Sequence, residues 1–173
     1  MKAKNTCCFT GISPRLLPCL HEEESGKYLR LKKMITEEVD RLITENKVSH
    51  FISGMDNGVG LLAASIVIEL KAYYPHITIE CVLPYETQAE NWRESQREKY
   101  YNILAECDKE TMLQKQYTAD CVTKSIMYMI DHSAYTIAIW NGRRSNTKRM
   151  IEYAKRRNAY VVNVDPDALL KAV

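Results

Sequence analysis

Residues 50–74, HFISGMDNGVGLLAASIVIELKAYY, decide the fold. His50–Ser53 is a short, mainly apolar run closed by Gly54, too brief for a helix and of strand length. Val59–Tyr74 is long enough for four helical turns and apolar on most sides, so it predicts a helix buried against a sheet, with Pro75 as its stop. Between the two lies Ser53-Gly54-Met55-Asp56-Asn57-Gly58-Val59-Gly60, a glycine-rich turn that opens directly into the helix.

Towards the N-terminus, Lys27–Asn46 sets Tyr28, Leu31, Ile35, Val39, Leu42 and Ile43 at helical spacing, and Thr6–Thr10 (TCCFT) before Gly11 reads as a buried strand. Ser13–Gly26 is the longest loop, with Pro14, Pro18 and the Glu22–Glu24 run, and is a candidate flap. Towards the C-terminus, Ile77–Leu83 (ITIECVL) is a third strand stopped by Pro84. Gln88–Cys107 predicts a polar helix containing Trp92, Tyr100 and Leu104, and Glu110–Gln114 a weak strand. Asp120–His132 predicts an amphipathic helix with Val122, Ile126, Met129 and Ile130 as its stripe. Tyr135–Trp140 (YTIAIW) is the most β-like run, Asn146–Arg157 a short basic helix, and Tyr160–Val164 the last strand.

Strands separated by helices are joined by crossovers, which makes them parallel, and continuously apolar strand runs are covered on both faces. The expected architecture is therefore α/β: a three-layer Rossmann-like sandwich with a mainly parallel sheet and helices on both faces, forming one domain over residues 1–173. The expected strand order is 4-3-2-1-5-6, with the weak fourth strand at an edge or absent.

Composition sets outer bounds. A content of 46% hydrophobic and 27% charged residues is that of an ordinary globular chain and excludes a mainly disordered, collagenous or coiled-coil one. No stretch approaches the roughly 18 unbroken apolar residues of a membrane helix, and Met1–Thr10 lacks the apolar core of a signal peptide, so a cytoplasmic location is expected. The six cysteines contain no C-x-x-C pair and no zinc-finger spacing with the histidines, so they read as small buried hydrophobes and no metal site is expected.

In sheets of this kind the ligand sits outside the carboxyl ends of the strands. The glycines cluster there. Thr10-Gly11-Ile12-Ser13-Pro14-Arg15 follows the first strand, Ser53–Gly60 the second, Pro84-Tyr85-Glu86 the third and Asn141-Gly142-Arg143-Arg144-Ser145-Asn146-Thr147 the strand at Tyr135–Trp140. Glycine lets the backbone turn tightly and a ligand approach it, and helix N-termini offer free amides to phosphate. There is no complete G-x-G-x-x-G, no G-x-x-x-x-G-K-[ST] and no G-x-S-x-G, so the common dinucleotide, P-loop and hydrolase patterns do not apply.

The candidate residues each have two readings. Arg15 either clamps a phosphate or is a surface arginine. Asp56 either accepts hydrogen bonds from a ribose or caps the helix beginning near Gly58. Asn141 is a base or ribose contact or a turn former, and Trp92 a stacking platform or a core residue. Thr147 begins a helix with its hydroxyl in reach of phosphate. Glu86 is the weak candidate for a general base. Thr10, Gly11, Gly54, Met55, Asn57, Gly58, Gly142 and Arg143 complete the expected ligand-binding set.

Cys8-Phe9-Thr10-Gly11-Ile12-Ser13-Pro14 resembles the "FTGHRP" opening of the bacterial YpsA-like family, and Ser53–Val59 resembles its "SGMALGVD" loop. Val82-Leu83-Pro84-Tyr85, Trp92, Tyr100 and Ile139-Trp140-Asn141-Gly142 follow in the same order. That family lies in the SLOG superfamily with DprA and the LOG phosphoribohydrolases, and the resemblance implies a Rossmann-like fold and a pocket for a nucleotide or nucleotide-derived ligand. The chain departs from the pattern in three places. Ile12-Ser13 replaces the family's His-Arg, Gly60 stands where an aspartate usually follows the glycine-valine, and Ser145-Asn146-Thr147 replaces the superfamily's GGT turn. In the LOG enzymes a catalytic glutamate follows that turn. Lys148 and Arg149 occupy the neighbourhood here, so LOG-type glycosidic hydrolysis is not expected.

Between Gly142 and Arg157 stand seven cations against Glu152 alone, a net +6 that leaves −4 for the rest of a chain whose total is +2. Arg143 and Arg144 read as ligand-phosphate contacts and Lys155–Arg157 as helix surface. The resulting expectation is a binding or sensor module for a phosphate-containing, nucleotide-derived small molecule, with no further cofactor. The alternatives are a nucleoside-phosphate glycosidase and a DprA-like single-strand DNA binder. The expected partners are that small-molecule ligand, nucleic acid as the less favoured alternative, no membrane, and self-association into a homo-oligomer as an open case.

Overall fold

The computed structural model describes residues 3–168, so the expected domain span of 1–173 runs past both ends of the described residues. Strands and helices alternate as β1 (Ala3–Gly11), α1 (Gly26–Asn46), β2 (His50–Ser53), α2 (Val59–Leu70), β3 (Thr78–Leu83), α3 (Glu94–Glu106), β4 (Lys109–Met112), α4 (Cys121–Asp131), β5 (Ser133–Ile139), α5 (Asn146–Arg156) and β6 (Tyr160–Val164). The six strands lie in the order β4-β3-β2-β1-β5-β6, each neighbouring pair parallel. This is the predicted three-layer, Rossmann-like α/β sandwich, with the weak strand at one edge. The order reverses between β1 and β5, which marks the switch point of the sheet.

Alternation along each strand divides the core. Cys7, Phe9, Phe51, Ile79, Cys81 and Ile137 belong to a large cluster with α1, α2 and α3, while Cys8, Ile52 and Val82 face α4 and α5. Helix α2 is central to the first cluster, with nine of its twelve residues buried, which explains its apolar character on every side. Each fully buried aliphatic side chain contributes roughly 1.5–3 kcal/mol. Ser25 caps α1, its Oγ accepting from the Tyr28 N–H at 3.1 Å, and Lys47 in the left-handed region (φ 58°) ends that helix.

Several boundaries differ from expectation for local reasons. Helix α2 stops at Leu70 because the chain tightens into turns, Tyr73 and Tyr74 N–H both donating to the Leu70 carbonyl. Helix α3 starts at Glu94 rather than Gln88 because the chain before it runs in tight turns, the Glu90 N–H donating to the Thr87 carbonyl and the Trp92 N–H to the Ala89 carbonyl, both at 3.1 Å. The Ser13–Gly26 segment is not an open flap. It contains a 3-10 turn at Pro18–His21 and buries Leu17, Cys19 and Leu20, and His21 Nε2 lies 3.0 Å from the Asn57 carbonyl.

One carboxylate is buried in the sheet. Glu80 accepts from His50 Nε2 at 3.1 Å and from Thr111 Oγ1 at 2.6 Å, with Lys109 Nζ at 3.5 Å. No disulfide forms among the described residues, and burial pushes the Cys7 and Cys81 thiols upward in pKa. Among the described residues no helix is long and apolar enough to cross a membrane.

Candidate functional site

The carboxyl ends of β1, β2 and β3 open into a cleft of about 450 Å³ that α4 and the start of α5 wall off on the other side. The segment after β1 supplies Gly11, Ile12, Ser13, Pro14 and Leu16, with Thr10 below them. The turn after β2 supplies Gly54, Asp56 and Asn57, and the segment after β3 supplies Pro84, Tyr85, Gln88 and Trp92. Helix α4 adds Val122, Ser125, Ile126 and Met129, and the start of α5 adds Ser145, Asn146 and Thr147.

Local packing dictates how these turns run. At Gly11 a β-carbon would stand 2.6 Å from Val59 Cγ2 and 3.1 Å from Ile139 Cβ, so β1 can leave the sheet there only as glycine. In the turn after β2, Ser53 Oγ donates to the Gly60 carbonyl at 2.7 Å and accepts from the Met55 N–H at 3.2 Å. Met55 takes a left-handed backbone (φ 57°) and is wholly buried. The Asp56 carboxylate accepts the Gly60 N–H, so it caps α2, and its Oδ1 fills the space a Gly60 side chain would need.

The two helix N-termini near the cleft are therefore not equivalent. That of α2 is stoppered from within by Asp56, and Gly58 lies against Pro14, whose Cγ would be 2.9 Å from a β-carbon there. That of α5 is not. Its N-cap, Ser145, has an extended backbone (φ −163°) and makes no side-chain cap, and its buried Oγ has no hydrogen-bond partner. Thr147 is 4% exposed in the first turn of the same helix.

The cleft is electrostatically sparse. Among the described residues its lining holds no Lys, Arg or His, and Asp56 is its one carboxylate. Solvent reaches Asp56 through the cleft, yet the protein packed around it pushes its carboxyl upward from the ordinary value, against the opposing hydrogen bonds of the Gly60 N–H and its own. Tyr85 and Trp92 give the walls aromatic surface. Trp92 is half-buried and meets Tyr100 edge-on at 5.3 Å, so it is core and cleft wall at once.

Of the residues expected to bind ligand, Thr10, Gly11, Gly54, Asp56, Asn57, Trp92 and Thr147 come together in the cleft. The others do not line it. Met55 is core, and Gly58 faces a separate depression of about 620 Å³ over α2, between α1 and α3. Arg15 and Arg143 are exposed outside the cleft. Asn141 is a turn former, its Nδ2 donating to Asp167 at 3.1 Å and its Oδ1 accepting from the Arg143 N–H at 3.2 Å, and Gly142 supplies the positive φ (86°) of that turn. Glu86 is exposed in a shallow surface hollow with Thr87, Glu90 and Glu94. Among the lining residues outside the expected ligand-binding set are Tyr85, Gln88, Ser125, Met129 and Ser145. Gln88 ties two walls together, its Nε2 donating to the Gly54 carbonyl at 3.1 Å.

A parallel, doubly covered sheet with its cleft at the carboxyl strand ends defines the chain as a Rossmann-like α/β protein. A family model described as the YspA SLOG family matches residues 7–169, and the chain belongs to that family. Among its relatives is the UPF0398 protein YpsA of Bacillus subtilis, 27% identical over 151 residues that cover 86% of this chain and 83% of that protein. The SPbeta prophage-derived protein YoqJ of the same organism is 27% identical over 140 residues, covering 74% and 82% respectively. A UPF0398 protein of Staphylococcus epidermidis is 25% identical over 146 residues, covering 80% and 77%.

Proposed function

We propose that the cleft is a binding site for a nucleotide-derived small molecule whose phosphate sits at the start of α5 and whose base lies along Tyr85 and Trp92. The observation that carries this reading is Ser145. An uncapped helix N-terminus and a buried hydroxyl without a partner face the same space, and an anion accepting from both would satisfy them. The apolar surface of Pro84, Val122, Ile126 and Met129 suits a flat heterocycle. Asp56 suits a sugar hydroxyl, which donates to a carboxylate.

The phosphate contacts in this reading come from backbone amides and hydroxyls rather than from Arg15 or Arg143. A chemical step would have Asp56 as its only carboxylate, since Glu86 lies elsewhere. The reading is therefore of a binding or sensing module working inside the cell. Its test is a thermal-shift screen with nucleoside monophosphates and dinucleotides, followed by calorimetric titration and mass spectrometry of the mixture. A rise in melting temperature with no new product is the expected result. No shift with any nucleotide would overturn the reading, and turnover would replace sensing with catalysis.

A further inference from the structure

The two edges of the sheet differ in character. At one edge, β4 is the mostly exposed Lys109-Glu110-Thr111-Met112, and charged side chains on an edge discourage further pairing. At the other, Asn158–Val164 (NAYVVNV) carries no charge and no proline, and β6 keeps one uninterrupted register with β5 from Tyr160 to Val164. The phase of that pairing shows which backbone groups are left over. The Trp140 N–H donates to the Val164 carbonyl at 3.1 Å, so Val164, and with the two-residue period Val162 and Tyr160, turn their backbone groups towards β5. The N–H and C=O of Val161 and Asn163 therefore point away from the sheet, and no turn or loop among the described residues bonds to them. The chain after β6 turns inward instead, the Asp167 carboxylate accepting from Asn141 Nδ2 at 3.1 Å and standing 3.7 Å from Lys27.

We propose that β6 is a self-association edge, at which a second copy of this chain adds its own β6 antiparallel about a two-fold axis at Val162. In that register Val161 of each copy lies opposite Asn163 of the other, and each such pair exchanges both N–H···O=C bonds, so the outward groups of both strands are satisfied. Val162 meets Val162 of the second copy and Tyr160 meets its Val164, at the closer positions of the antiparallel ladder. All three side chains lie on the α1 side of the sheet, where Val162 and Val164 join the larger core cluster and the Tyr160 ring, 60% exposed, meets Tyr135 edge-on at 5.9 Å. The exposed ring thus gains a β-branched neighbour. Charge favours a second copy and sets the direction. Lys155, Arg156 and Arg157 lead into β6, and Asp165 and Asp167 lead out of it. The antiparallel two-fold sets each basic entry beside the second copy's acidic exit, whereas parallel pairing would set like beside like. Tyr160–Val164 is no part of the cleft lining, so this edge stands whether or not the cleft takes a nucleotide.

The test is sedimentation equilibrium of the full chain across the micromolar range, where the parent approaches twice its monomer mass as concentration rises. Asn163→Pro removes an outward N–H that β5 does not use, so the protein stays folded by circular dichroism and its self-association weakens about tenfold or more. Should that variant fail to fold, Tyr160→Lys places a charge on the exposed edge and carries the same comparison. Lys155→Glu with Arg156→Glu, and separately Asp165→Lys, each weaken self-association at low salt, and mixing the two proteins restores it, because each reversed end then meets its opposite. Val162→Cys reads the register directly: under a thiol oxidant it cross-links to itself as a dimer on a non-reducing gel, which Tyr160→Cys does not. A parent that is monomeric throughout, a dimer indifferent to both Asn163→Pro and Tyr160→Lys, no rescue on mixing, or no cross-link at position 162 would each overturn the proposal.

Discussion

Pro14 packs against Gly58 so closely that a β-carbon on the glycine would stand 2.9 Å from its Cγ and 3.0 Å from its Cδ. The contact joins the segment after β1 to the N-terminus of α2 and closes the place where the glycine-rich turn predicts a phosphate cradle. The backbone there is extended (φ 174°), so conformational freedom is not what requires glycine; space is. Gly58→Val therefore pushes on a rigid proline ring and on Leu20, 3.4 Å from the same point. The expected loss is about 1–3 kcal/mol of stability, read as a lower urea midpoint. If the midpoint is unchanged, the Pro14 contact is not a close one in solution.

Arg15 and Arg143 carry a revised expectation. Both are exposed and neither lines the cleft. Arg15→Ala and Arg143→Ala are expected to change the affinity for a nucleoside monophosphate by less than about threefold, well short of the tenfold or more that losing a charge-assisted hydrogen bond costs. Calorimetric titration of both variants checks this, and a large loss at either would restore an arginine clamp.

The contrast shows where the sequence is readable. Apolar runs and breakers place five of the six strands, while β4, the polar and mostly exposed Lys109–Met112, reads only as a weak strand; the order of the sheet follows from short crossovers. The carboxyl-end turns are visible from their glycines, which is why Thr10, Gly11, Gly54, Asp56 and Asn57 were found. What the sequence cannot show is where a turn's side chains go. Glu86 follows β3 directly, but its N–H is drawn to Lys115 and the residue faces solvent. Asn141 is held by Asp167, 26 residues later. The stripe on α4 reads as core, yet Val122 is 45% exposed and Ile126 half-buried because that end of the stripe is cleft wall. Ser125, buried within that apolar stripe, was the signal for it.

The buried Glu80 makes stability depend on acid. The hydrogen bond from His50 is the largest influence on it; burial opposes, and Thr111 and Lys109 assist, so its pKa falls from the ordinary 4.5 to about 2. A carboxylate whose folded pKa is depressed contributes stability that is present above its unfolded pKa and lost as pH falls through the folded one. The contribution, roughly 2–3 kcal/mol, is thus complete above about pH 5 and disappears between about pH 5 and 2. Glu80→Gln is expected to lower the urea midpoint at neutral pH and to flatten its decline over that acid window. A parallel decline in parent and variant would mean that Glu80 is not the responsible group.

Ser145 allows binding and stability to be moved in opposite directions. An aspartate at this N-cap can accept from the first-turn amides that Ser145 leaves uncapped, and it places negative charge at the positive end of the α5 dipole. Ser145→Asp is expected to raise stability by about 0.5–1 kcal/mol. The same carboxylate would occupy and repel the position proposed for a phosphate, weakening nucleotide binding about tenfold or more. Thermal unfolding and titration on one preparation decide it. A stabilised protein that still binds its nucleotide as the parent does would move the phosphate away from α5.

Asp56 serves two tasks that a single substitution separates. It caps α2 through the Gly60 N–H, and it is the one carboxylate in the cleft lining among the described residues. Asparagine caps a helix about as well as aspartate, so Asp56→Asn is expected to stay within about 0.5 kcal/mol of the parent in stability. Asparagine is also a weaker acceptor for a sugar hydroxyl and carries no charge. The variant is therefore expected to lose about tenfold in affinity for a ribonucleoside monophosphate and little for the 2′-deoxy compound, the difference being the charge-assisted hydrogen bond. The pH profile gives a second reading of the same contact. The protein packed around Asp56 raises its pKa, so in the parent the ribonucleotide preference fades as pH falls through that raised value, while in Asp56→Asn it does not vary with pH over that range. Equal losses for the two nucleotides would assign Asp56 to the cap alone.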